Sequence, residues 1–172
     1  YKVIAKGGTS SIFGEAIMWL KNSGIVNQVY KTTAELPLEM HKDLSSFKLY
    51  MSDVGLFVNK ARYPLYQVDL SQQPVMIAMG PLTENYVANE LRVKGYDLYY
   101  WESDGKAELD FMIQKETDIV PIEVKTSVHT KARSLDLYMK TYSPNYAVRI
   151  SEKNFGFENN IKSVPLYAVF CM

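Results

Sequence analysis

An α/β fold is what this sequence predicts, and three observations lead there. Short runs rich in β-branched and aromatic residues alternate with segments whose apolar residues recur at helical spacing. Apolar residues make up 47% and charged residues 22% of the 172-residue chain, a balance that can bury a core. The length suits one medium domain, or one with a small appendage.

The elements follow in order. Thr9, Ser10 and Ser11 are N-cap candidates ahead of Ile12, Ala16, Trp19 and Leu20, which recur at helical spacing, and Gly24 is the C-terminal stop. Ile25–Tyr30 reads as a strand, Leu36-Pro37-Leu38 as a break, and Phe47–Tyr50 as a second strand. A helix followed by two strands is the latter half of a winged helix, and the apolar surroundings of Trp19 suit packing better than reading a nucleic-acid groove. Asp53 caps a short helix through Gly55-Leu56-Phe57, and 59–73, with Pro64, has no clear pattern. Met76–Met79 is apolar and Gly80-Pro81 reads as a turn. From Thr83 as N-cap a helix runs to Lys94 and stops at Gly95, with Val87, Ala88 and Leu91 facing inward. Tyr96–Trp101 is a strand, Ser103-Asp104-Gly105 a turn, and Lys106–Gln114 and Asp118–Lys125 are two further strands. Lys131–Tyr142 reads as a helix ended by Pro144, followed by strands at Tyr146–Ile150 and Val164–Phe170.

Two of these strands carry the chemistry. Residues two apart in a strand share a face, so Glu108 points with Asp110 and Glu123 with Lys125, while Leu109, Phe111, Ile113, Ile122 and Val124 read as core. If the strands pair, Asp110 and Glu123 converge on one hard cation with Lys125 beside it. Carboxylate oxygens suit Mg or Mn, and such a centre serves phosphodiester cleavage. The competing reading is that these acids decorate the solvent face of a half-buried sheet. Glu84 ends the inward stripe of its helix. Either it interacts with the positive helix N-terminus, or it faces the same cavity as Asp110 and Glu123.

Net charge is zero, so any nucleic-acid surface must be local. The stretch from Lys125 to Arg149 holds Lys131, Arg133 and Lys140 against Asp136 alone, which fits either a phosphate-binding face or a solvated helix. The single cysteine, Cys171, excludes an internal disulfide and fits a reducing, cytoplasmic setting. His41 and His129 lack metal-ligand spacing, no apolar run is long enough to span a membrane, and there is no P-loop, hence no nucleotide site of that kind. The chain starts at Tyr1 and enters a helix pattern almost at once, so a preceding portion is expected.

The order from Thr83, together with Glu84, Asp110 and Glu123-Val124-Lys125, resembles the PD-(D/E)XK nuclease superfamily over roughly 80–150, with Leu109 where the superfamily motif has proline. More of the chain resembles one family in particular. Phe47–Leu56, Glu84–Leu91, Tyr99-Tyr100-Trp101 and Ile122–Lys125 are similar to the C-terminal domain of prokaryotic AAA-type P-loop ATPases. That resemblance implies a restriction-endonuclease-like mixed sheet flanked by helices at 59–172, after a partial winged-helix and connector segment at 1–58. It also implies an ATPase module in the same protein. The implied site has Asp110 and Glu123 on Mg or Mn, Glu84 completing or orienting the shell, and Lys125 positioning water or stabilising charge. DNA would be held by Lys131, Arg133 and Lys140. A non-catalytic DNA- or protein-binding module that regulates the ATPase is the alternative function.

Overall fold

The computed structural model describes residues 6, 9–62, 74–103, 105, 107–126 and 133–172. Its elements are α1 (Ser10–Asn22), β1 (Val26–Thr32), β2 (Lys42–Met51), α2 (Val54–Lys60), α3 (Pro74–Val93), β3 (Tyr99–Ser103), β4 (Ala107–Lys115), β5 (Asp118–Val124), α4 (Arg133–Tyr142), β6 (Ala147–Ser151), β7 (Gly156–Glu158) and β8 (Ile161–Pro165). Short 3-10 turns occupy Leu38–His41 and Leu166–Cys171.

The strands form one eight-stranded sheet in the order β2-β1-β3-β4-β5-β6-β8-β7. It is mixed: β3, β4 and β5 run as an antiparallel meander, whereas β6 lies parallel to β5 and β1 parallel to β3. This is the α/β architecture expected. The two N-terminal strands pair with each other and, through β1, continue the same sheet.

Helices cover both faces. Val87, Ala88 and Leu91 of α3 pack with Phe111, Ile113, Val120, Ile122 and Val148 on one side. Leu135 and Tyr138 of α4 pack with Tyr99, Trp101, Leu109, Met112 and Ala147 on the other. Neighbouring residues such as Tyr99 and Tyr100, or Ala147 and Val148, therefore fall in opposite cores, as the strand period requires. Each fully buried Leu or Phe contributes about 1.5–3 kcal/mol.

Local signals set several boundaries. Asp53 caps α2, its side chain accepting from Leu56 N at 2.7 Å. Gly24 and Gly95 follow α1 and α3 at φ of 72° and 86°, where a side chain would be strained. Others were misread. Gly80-Pro81 is no turn: α3 runs unbroken through Pro81, so Thr83 is a buried mid-helix residue rather than an N-cap. Proline deprives the helix of one N–H donor, but packing of the Val87 face holds the remaining turns in line. The final strand ends at Pro165, and Leu166–Phe170, expected to be extended, lies instead in the 3-10 turn Leu166–Cys171.

Asn85 locks α3 to the sheet. It is 1% exposed, accepts from Met51 N at 2.7 Å and donates to Met51 O at 2.9 Å. Asn85→Ala orphans both backbone groups, and urea unfolding is expected to show a loss of about 2–4 kcal/mol. A loss below about 0.5 kcal/mol would show that the clamp is dispensable.

Candidate active site at the ends of β4 and β5

The site is assembled where the β4–β5 ladder gives way. The last pair of the ladder is Phe111 with Ile122, and beyond it the N–H of Val124 turns to the side chain of Asp110, donating to Oδ2 at 2.7 Å. On its other edge β4 is bulged. Tyr99 pairs with Met112 but Trp101 with Leu109, so one extra residue is accommodated between them. Leu109 and Phe111, expected on one face, consequently enter opposite cores. Asp110 sits at this slip in alternation, half-buried and close to both Glu84 and Glu123 in electrostatic terms.

Glu84 projects from the middle of α3, far from the helix N-terminus, which removes the dipole explanation for its inward position. Its Oε1 accepts from Lys48 Nζ at 3.2 Å and from the Tyr50 hydroxyl. Lys48 and Tyr50 lie two apart on β2 and so share a face. Lys48 also bridges to Glu108 and lies 5.1 Å from the ring centre of Tyr100. Burial works against its charge, yet Glu84, Glu108 and Asp110 outweigh burial and hold the ammonium above its usual pKa.

Glu123 is only 2% exposed, so the solvent-face reading fails for it. Its Oε1 pairs with Lys125, while its Oε2 is buried with no hydrogen-bond partner. Burial raises its pKa, against the pull of Lys125 and Arg149. Asp110 is pushed up to about 7, first by burial and then by Glu123 and Glu84, with Val124 N–H and Lys48 opposing.

Glu84 and Lys125 line one hollow of about 170 Å³, with Gly80, Val124 and Thr126. Three carboxylates thus influence one another at the end of two strands, each with one oxygen oriented by a donor: Val124 N–H on Asp110, Lys48 and Tyr50 on Glu84, Lys125 on Glu123. Among the described residues no three acids, histidines or cysteines are grouped closely enough to hold a metal ion as they stand. Arg133 and Lys140 lie exposed on α4, across the sheet from α3, and Lys131 falls outside the described residues. Sequence alone assigns no role to Lys48, Tyr50 or Arg149. The first two were findable, since a lysine and a tyrosine at i and i+2 in a strand must point together.

Fold and site define an α/β domain with a partly buried cluster of carboxylates and lysines at one end of its central strands. Residues 79–169, more than half of the chain, match a family described as a domain of unknown function (DUF4143), and the chain belongs to that family. Residues 1–64 match a second domain of unknown function (DUF8612). No curated protein and no solved structure matches the chain. No helix among the described residues is long and apolar enough to cross a membrane.

The raised pKa of Asp110 carries a pH signature. The folded state holds its proton up to about pH 7, whereas the unfolded chain releases it near the ordinary value of 3.8. Between these values the native state binds more protons, so the contribution of Asp110 to stability falls as pH rises and levels off above 7. Asp110→Asn keeps an acceptor for Val124 N–H without the charge. It is expected to stabilise the protein by about 1–2 kcal/mol at pH 8 and hardly at all at pH 4, read from urea unfolding at both. Equal effects at the two pH values would contradict the raised pKa.

Proposed function

We propose that this domain is a divalent-metal-dependent phosphodiesterase acting on DNA, coupled to a P-loop ATPase. The observation that carries this reading is the orphaned, buried Oε2 of Glu123 beside an Asp110 whose ionisation is opposed by two neighbouring acids. Leaving such an oxygen unpaired costs about 1–3 kcal/mol or more, which an active-site role explains and a purely structural one does not.

The donors fit a hard cation by their chemistry, since Asp110, Glu123 and Glu84 offer only carboxylate oxygen. Asp110 and Glu123 would hold Mg or Mn, with Glu84 completing or orienting the shell. Once bound, the ion would supply a Lewis acid and an activated water at the phosphodiester. The protein's own groups prepare the rest. Lys48 and Tyr50 hold Glu84 in one orientation, and Val124 N–H does the same for Asp110. Lys125, tied to Glu123 at the hollow, is available to donate to the attacking water or to a phosphate oxygen as charge builds there.

The order α3-β3-β4-β5-α4-β6 supports a PD-(D/E)XK-type core, and α1-β1-β2 keeps the helix-strand-strand order of a partial winged helix. Membership in DUF4143, a domain of AAA-ATPase-associated proteins, supports the ATPase connection. A second reading, a non-catalytic module that binds a partner and regulates the ATPase, is favoured by Ile12, Met18 and Trp19, all exposed on α1.

Plasmid and oligonucleotide substrates with Mg or Mn test the first reading. Cleavage by the parent should fall about a hundredfold or more in Asp110→Ala and Lys125→Ala. No cleavage by the parent, or cleavage indifferent to both changes, would turn the assignment to the regulatory module. Metal binding has its own readout. Mg or Mn should raise Tm at pH 8 in the parent and leave Asp110→Asn unmoved; equal shifts in the two proteins would place the ion elsewhere.

A further inference from the structure

Arg149 stands beside Glu123 in register on the parallel pair β5–β6. Its neighbours Val148 and Ile150 enter the α3-side core, so its own side chain lies on the α4 face, where Glu123 also points. Its charge acts on Glu123, but among the described residues the guanidinium makes no hydrogen bond or ion pair. Its Nε is buried without a hydrogen-bond partner, and Glu123 pairs with Lys125 instead of with it. Arg149 opens into a cavity of about 610 Å³ that Lys153, Asn154 and Ser163 also line. Asp136 and Glu158 share that cavity, both exposed, and neither makes an ion pair with Arg149 among the described residues. An arginine kept for stability would be expected to close on one of these three acids. Here, among the described residues, the buried Nε–H of a planar guanidinium is held at the sheet surface without an acceptor.

We infer that Arg149 binds a backbone phosphate of nucleic acid, with Lys153 and Asn154 carrying the strand onward through the cavity beside Glu123. This rests on the phosphodiesterase reading, which puts the substrate at Glu123. The two non-bridging oxygens of a phosphodiester match the guanidinium fork, which lysine cannot reproduce. The same placement gives the phosphate track a location that Arg133 and Lys140, on the outer surface of α4, do not supply.

The test is binding of labelled single- and double-stranded oligonucleotides by fluorescence anisotropy over a salt series. Calcium replaces Mg so that binding is read without turnover. Arg149→Ala should weaken binding about tenfold or more and lower the salt slope by about one, and Lys153→Ala should lower the slope similarly. Arg149→Lys should restore the slope but not the full affinity. Thermal melting of each variant identifies loss of fold, and Arg149→Lys is the variant to rely on if Arg149→Ala melts early. Unchanged affinity in Arg149→Ala, or no oligonucleotide binding by the parent, overturns the inference. So does inorganic phosphate competing as well as an oligonucleotide, since the backbone would then add nothing. Binding that depends on Arg149 in a protein that cleaves nothing sustains the phosphate site while removing the nuclease reading, so the two fail separately.

Discussion

Burial of the central strands on both faces is the constraint on which the rest of this structure depends. With α3 packed on one side and α4 on the other, the central residues of β4 and β5, Leu109, Phe111–Ile113 and Val120–Val124, have no solvent face to retreat to. A charge at the end of either strand must therefore find a partner or shift its ionisation. Asp110 shifts, Glu84 is held by Lys48 and Tyr50, and Glu123 is half satisfied by Lys125. The cluster is thus a direct consequence of placing acids where a two-sided sheet stops.

Its geometry follows from two departures from regular sheet structure. The bulge between β3 and β4 re-aims Asp110, and loss of the ladder after Phe111–Ile122 frees the N–H of Val124 to hold its carboxylate. A regular hairpin would have paired Val124 with backbone and left Asp110 to be oriented by chance. The Asn85 clamp on Met51 then fixes α3 over β2, so that Glu84 meets Lys48 and Tyr50. Backbone irregularity and one buried amide together set three carboxylates in fixed orientations, and such pre-organisation is what charge-stabilising catalysis requires.

Much of the fold was legible in order but not in extent. Periodicity identified the three antiparallel strands, the helix after them and the capping by Asp53, because each is a local pattern. Pro81 and the segment after Pro165 were misjudged, since tertiary packing overrides the local preference of a single residue. For the site, the spacing of Asp110, Glu123 and Lys125 was visible, and so was the face that Glu123 and Lys125 share opposite Ile122 and Val124, whereas the face of Asp110 was not. Alternation predicts faces only while the ladder is regular, and it fails at the bulge beside Asp110.

By itself the sequence determined that acids and a lysine lie near the ends of two adjacent strands, because residue type and a period of two are local properties. Tertiary structure alone decided that Glu123 is buried with an unmet oxygen, that Lys48 of a distant strand neutralises Glu84, and that Arg149 lies beside Glu123 with its Nε unpaired. Those facts depend on which strands become neighbours and what covers them, and the free energy of that choice is spread over the whole core rather than written in any one segment.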